Sequence, residues 1–153
     1  MYDGVDAFEA QKAMTIASRT CLVIDNEVGF ATFIQRIAEG MGLHSHILTD
    51  PMRLEQVLAI SSPDVITLDM DMPGRNGLEV LRVLSAWRLQ SRVIMISGTP
   101  PDYTSAGKPK VAGFEIAAIL IKPARKVEIE SALAAALDAT AAQRSDESTH
   151  VPA

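Results

Sequence analysis

Several classes of protein are excluded by what this chain lacks. Of its 153 residues only one is a cysteine, Cys21, and it lies inside an apolar run. A lone thiol closes no disulfide and anchors no Cys/His metal cluster. In apolar surroundings it behaves as a small core hydrophobe. No uninterrupted apolar run exceeds about six residues, against the ~20 that a membrane-spanning helix needs. The first ten residues, MYDGVDAFEA, carry two Asp and one Glu and no apolar stretch, so they do not read as a signal peptide. The chain is therefore expected to stay in the cytosol, with no membrane partner. Positive charge is also in deficit. Fourteen Lys and Arg stand against 19 Asp and Glu, a net charge of −5, which argues against a nucleic-acid surface. What is plentiful is apolar residues, 48% of the chain, enough for one well-cored domain.

Short apolar runs alternate with helical patterns. Thr20 to Asp25, Leu43 to Leu48, Val65 to Asp69, Arg92 to Ile96 and Ala117 to Ile121 read as strands. Val28 to Glu39, Pro51 to Ile60, Gly77 to Gln90 and Ala124 to about Ala142 read as helices. The first of these helices spaces Phe30, Phe33, Ile34 and Ile37 on one face, and the third does the same with Leu78, Leu81, Leu84 and Trp87. Trp87 and the methionines at 41, 52, 70, 72 and 95 are read as core or core rim. His44 and His46 alternate on an edge strand and are read as solvent-facing. Apolar strands joined by helices imply a parallel sheet buried on both faces. With right-handed crossovers, a doubly wound five-stranded α/β sheet follows. Pro100, Pro101, Gly107 and Pro109 interrupt the rhythm between Gly98 and Gly113. A fourth helix belongs there, and Pro109 restricts it to something short or irregular. The domain is placed at 18–142, with a tail at 1–17 and a disordered tail at 143–153.

In such sheets ligands bind at the carboxyl ends of the strands. Strand one ends in Asp25-Asn26-Glu27. Strand three ends in Asp69, with Asp71 two positions on. Strand four ends in Ser97-Gly98-Thr99, and strand five in Lys122-Pro123. One polar strand end is unremarkable, but four that gather carboxylates, hydroxyls and a lysine form a pattern. Clustered carboxylates repel unless a cation is present. Oxygen-rich sites with few protein ligands suit Mg²⁺, which keeps several waters and binds phosphate oxygens. A carboxylate is a competent nucleophile toward phosphorus, and the transfer needs mainly placement and charge neutralisation.

The segments LVIDNE, VITLDMDMPGRNGLEVL, VIMISG and LIKPA, in that order across residues 21–124, resemble the response-regulator receivers, the CheY-like proteins of two-component signalling. The resemblance implies that Asp69 is the phosphoacceptor and that a histidine kinase or phosphotransfer protein is the donor. The downstream partner is a protein that the sequence does not identify. It further implies Mg²⁺ held by Asp25, Asn26, Asp69 and the backbone carbonyl of Asp71. Ser97 would be the hydroxyl that turns toward the phosphoryl group, and Lys122 would contact that group. A cis bond before Pro123 is implied too, as is a tight turn at Gly77.

Two positions depart from the family pattern. Asn26 stands where a second Asp is usual and brings no charge. Ile119 stands where an aromatic ring usually reports the hydroxyl's movement. Both leave open a pseudo-receiver, an interaction module that is not phosphorylated. Asp69-Met70-Asp71 also fits the DxD motif of haloacid-dehalogenase-type phosphatases, in which the second Asp is the acid/base. Two βα units precede it here, however, and the Met-Pro-Gly continuation differs. The receiver reading makes the chain a signalling protein and not an enzyme. The alanine-rich last helix adds the expectation of a homodimer.

Overall fold

Apolar runs with β-branched residues form strands buried on both faces only when helices cover both sides of the sheet, and this chain supplies those helices. The structure, a computed structural model, describes residues 19–98, 110–111 and 113–149, with side chains described as far as Asp138 except those of Lys110 and Val111. The order is β1 (Thr20–Ile24), α1 (Val28–Gly40), β2 (His44–Leu48), a 3-10 turn (Pro51–Arg53) running into α2 (Leu54–Leu58), β3 (Val65–Asp69), α3 (Gly77–Ala86), β4 (Arg92–Ser97), β5 (Lys110–Val111), β6 (Phe114–Ile121) and α4 (Lys126–Thr149). The five main strands run parallel in the order β2-β1-β3-β4-β6, a 2-1-3-4-5 arrangement that realises the doubly wound five-stranded sheet anticipated from the sequence.

A sixth strand was not anticipated. β5 pairs antiparallel with β6, Lys110 opposite Glu115 and Val111 opposite Phe114. Gly113, at φ 86°, takes a backbone conformation that other residues rarely adopt and so permits the reversal. Residues 110 and 111 thus belong to a hairpin. The rest of the segment expected to hold a fourth helix, residues 99–109 and 112, lies outside the described residues, as do the N-terminal segment 1–18 and residues 150–153. β6 begins at Phe114, three residues ahead of the expected Ala117.

Side-chain alternation sorts the core into two layers. Leu22, Ile24, Ile66, Leu68, Val93 and Met95 pack with Leu54, Leu58, Val80, Leu81 and Leu84 on the α2/α3 face. Cys21, Val23, Val65, Ile94 and Ile96 pack with Ala31, Ile34, Ile129 and Leu133 on the α1/α4 face. In β6 the alternation is broken. Val93 pairs with Ile116 but Ile94 pairs with Ala118, so Ala117 forms a bulge. Phe114 and Ile116 lie on the α2/α3 face. Beyond the bulge, Ala118 and Leu120 lie on the α1/α4 face, and Ile119 lies on the other. A bulge of this kind re-aims every side chain that follows it.

The helices differ from expectation mostly at their ends. α3 stops at Ala86, not Gln90. Arg88 N donates to Ser85 O and Leu89 N to Leu84 O, and Arg88 adopts φ 56°, which together make a Schellman cap. Trp87 is therefore a cap residue, 43% exposed, and not part of the core. Met52 and Phe33 are also exposed, whereas Met72 and Met95 are buried. His44 and His46 face solvent. The expected helix from Pro51 divides into a 3-10 turn and a short α-helix, opened by Asp50, whose Oδ1 accepts from Met52 N at 3.0 Å. α4 runs to Thr149, into the stretch read as a disordered tail, because Gln143, Arg144 and Glu147 favour helix and no Gly or Pro intervenes before Pro152. Among the described residues no helix is long and apolar enough to cross a membrane.

Candidate functional site

The strand alternation that builds the core also aims the site. Asp25 continues the parity of Cys21 and Val23, Asp69 that of Val65, and Lys122 that of Ala118 and Leu120. All three sit at carboxyl ends on the α1/α4 side of the sheet. Asp25 and Asp69 are 1% and 3% exposed. Each uses its Oδ1 in the same way. Asp25 Oδ1 accepts from Glu27 N at 2.8 Å, and Asp69 Oδ1 accepts from Asp71 N at 3.0 Å. These are Asx turns, in which a short carboxylate satisfies a backbone N–H two residues on. They leave each Oδ2 for Lys122, whose ammonium lies 3.0 Å from Asp25 Oδ2 and 3.5 Å from Asp69 Oδ2.

Lys122 is held from three directions. Its N–H donates to Ser97 O at 2.8 Å, tying the end of β6 to the end of β4. The following Lys122–Pro123 bond is cis. The Phe30 ring on α1 lies 4.8 Å from Nζ, close enough for a cation–π contact. Glu27 adds a third carboxylate, with Oε1 at 3.8 Å.

Burial raises the Asp69 carboxyl above the ordinary carboxylate value. The Asp71 amide and Lys122 pull it back and the neighbouring Asp25 charge pushes it further, with a net upward shift. For Lys122, burial acts downward, but the hydrogen bond to Asp25 and the charges of Asp25, Asp69 and Glu27 outweigh it and raise the ammonium. The three carboxylates thus hold Lys122 in its charged form.

Ser97 is buried at the end of β4 but follows the parity of Val93 and Met95, the opposite face. Its Oγ donates to Asp71 Oδ2 at 3.0 Å, and Gly98 N donates to the same oxygen at 3.3 Å. Asn26 is exposed at the rim. Of the residues singled out in the sequence, Asp25, Asp69 and Lys122 meet directly, Ser97 and Asp71 form an adjoining pair, and Asn26 is exposed. Two contributions were missed. Phe30 was read as a helix-face hydrophobe. The Asp71 side chain was passed over in favour of its backbone, because nothing in a loop's spacing tells where a carboxylate turns.

Among the described residues no group of three or more His, Cys, Asp or Glu side chains is arranged to hold a metal ion. A hard divalent cation does not require that. Mg²⁺ is commonly held by one or two carboxylates together with waters. Two buried carboxylates whose free oxygens already converge on a cation fit that donor chemistry.

A doubly wound 2-1-3-4-5 sheet with paired aspartates and a lysine at its carboxyl edge is the CheY-like α/β architecture. The response regulator receiver domain family matches residues 21–134, and the chain belongs to that family of two-component signalling proteins. Its members typically bind Mg²⁺.

Solved structures share the fold. The signal receiver domain of a putative Luxo repressor protein from Vibrio parahaemolyticus has a TM-score of 0.72 at 17% identity, over 84% of this chain and 97% of that one. The CheY-like receiver domain from Methylobacillus flagellatus has a TM-score of 0.63 at 18% identity, over 77% and 98%. Among curated relatives, the photosynthetic apparatus regulatory protein RegA of Rhodobacter capsulatus is 25% identical over 119 residues, 78% of this chain and 63% of RegA. Protein-glutamate methylesterase/protein-glutamine glutaminase 5 of Myxococcus xanthus is 34% identical over 88 residues, 55% of this chain and 25% of that protein. The chain therefore spans less than two thirds of the length of these relatives.

Proposed function

We propose that Asp69 accepts a phosphoryl group from a histidine kinase or phosphotransfer protein and that the phosphorylated state is read by a partner protein. The observation that carries this is the buried Asp69 carboxylate, its Oδ2 turned to the Lys122 ammonium and flanked by Asp25. In the proposed reaction a carboxylate oxygen of Asp69 attacks phosphorus. The P–N bond to the donor histidine breaks, and the histidine nitrogen leaves with that electron pair. Lys122 then pairs with a phosphoryl oxygen, and Ser97 donates its hydroxyl proton to another. Asp25, Asp69 and the Asp71 carbonyl, with Asn26 at the rim, would hold Mg²⁺, which when bound neutralises the anionic oxygens.

The chain acts in this reading as a cytoplasmic signalling protein and not as an enzyme. The two βα units that precede Asp69, β1–α1 and β2–α2, speak against the phosphatase alternative. The exposed, uncharged Asn26 favours the pseudo-receiver as the second reading. Intact-mass measurement with acetyl phosphate and Mg²⁺ separates the two. The first expects one phosphoryl group on the wild type and none on Asp69→Asn. No mass increase, or a phosphoryl group mapped elsewhere with Asp69 free, overturns it. A homodimer through the open face of α4, where Val127 is exposed, belongs to the same proposal. Sedimentation that finds only monomer with and without beryllofluoride removes that part.

A further inference from the structure

Asp71 stands between the two groups that must cooperate if Asp69 is phosphorylated. Its own N–H donates to Asp69 Oδ1 at 3.0 Å, and its carboxylate accepts the Ser97 hydroxyl at 3.0 Å and the Gly98 N–H at 3.3 Å. A serine hydroxyl has one proton to donate. A proton that lies on Asp71 Oδ2 is not available to a phosphoryl oxygen on Asp69. Strand parity agrees, since Ser97 projects with Val93 and Met95, away from the face that carries Asp69. Ser97 must break the Asp71 bond before it can turn.

We propose that the Asp71 carboxylate is a positioning latch that holds Ser97 and the Gly98 turn in the resting orientation and competes with the phosphoryl group for the Ser97 proton. This rests on Asp69 being the phosphoacceptor. Asp71 is well placed to let go. It is exposed, so its carboxylate can swing into water. Phosphorylation puts added negative charge on the residue to which its backbone is tied, and like charges at this distance repel. Release of Ser97 also frees the Gly98 N–H. The latch therefore couples the phosphoryl group to the backbone at the end of β4 without an aromatic at position 119. Ile119 is stiff at its first torsion and packs against the α2/α3 core.

The test uses the full chain and two readouts. The first is amide hydrogen exchange at Gly98 without any phosphodonor, in wild type, Asp71→Asn and Asp71→Ala. The alanine variant is expected to exchange faster than wild type, with asparagine between them because its amide oxygen still accepts. The second is beryllofluoride binding with Mg²⁺, followed by fluorine NMR. Asp71→Ala is expected to bind roughly 3- to 10-fold more tightly, the scale of one net hydrogen bond. In a Ser97→Ala background that gain should vanish, which a merely structural role of Asp71 would not produce. Unchanged Gly98 exchange, equal or weaker beryllofluoride binding by Asp71→Ala, or a gain that persists without Ser97 each overturns the latch. If the wild type binds no beryllofluoride, the phosphoacceptor reading fails and the competition with it, while Gly98 exchange still reports whether the resting contact exists.

Discussion

Lys122 lies nearer Asp25 than Asp69, 3.0 Å against 3.5 Å, with its side chain 17% exposed. In the resting protein it is first a counter-ion for two buried carboxylates. Removing one partner of a buried charge group leaves the other uncompensated. Lys122→Ala is expected to destabilise the fold by about 2–3 kcal/mol at neutral pH, measured by urea unfolding. A variant as stable as wild type would show that water already screens the pair.

The raised Asp69 carboxyl sets the sign of a pH effect. Its folded value lies above the unfolded 3.8, so the folded state holds the proton more tightly. Ionisation of Asp69 therefore opposes folding, and this contribution falls as pH rises through the window above 3.8. Asp69→Asn removes it. The variant is expected to be more stable than wild type at neutral pH, with the gap closing toward pH 3.8. Lys122 acts in the opposite region, since its stabilisation is present below 10.5 and is lost as pH rises through its higher folded value. Paired denaturation curves at neutral and acid pH check the Asp69 prediction.

Gly77 is required by space, not by an unusual backbone angle. A Cβ built there would lie 2.7 Å from Met70 Cα, and Gly77 N donates to Met70 O at 3.2 Å. The left-handed conformation that the turn needs is supplied by Gly74, at φ 84°. Gly77→Ala is expected to cost about 2–3 kcal/mol in chemical unfolding. Trimming Met70 to Ala in that background should not restore the loss, because the clash includes backbone.

Arg88 caps α3 at φ 56°, where a Cβ is unfavourable. Arg88→Gly should raise stability by about 0.5–1 kcal/mol, the strain relieved less the entropy that glycine adds to the unfolded chain. A lowered melting temperature would mean that the guanidinium contributes more than the cap.

Asn26 offers an amide oxygen where a charge would help a hard cation. Asn26→Asp is expected to tighten Mg²⁺ binding several-fold in an NMR titration and, by crowding the carboxylates, to lower apo stability. An unchanged Kd would assign the missing charge to Glu27, already 3.8 Å from Lys122.

Much of this was legible along the chain. The bounds of β3 and the start of α3 follow from apolar period and the Gly77 boundary. Parallel strands must bring their carboxyl ends to one edge, so the sequence alone gathers Asp25, Asp69 and Lys122 there. Other features are set by contacts distant in sequence, which no local pattern encodes. Trp87 keeps the helical spacing of Leu78, Leu81 and Leu84, yet the cap at Arg88 turns the chain and leaves the indole exposed. The Asp71 carboxylate meets Ser97 across 26 positions. The bulge at Ala117 depends on how β6 registers against β4. The run FEIAAILI reads as one uniform strand, but without that extra residue Leu120 and Lys122 would take the parity of Phe114 and Ile116 and project to the far face. The residue types and their order along the chain determined which charges reach the edge of the sheet. Pairing register, a long-range contact, decided that they face one another.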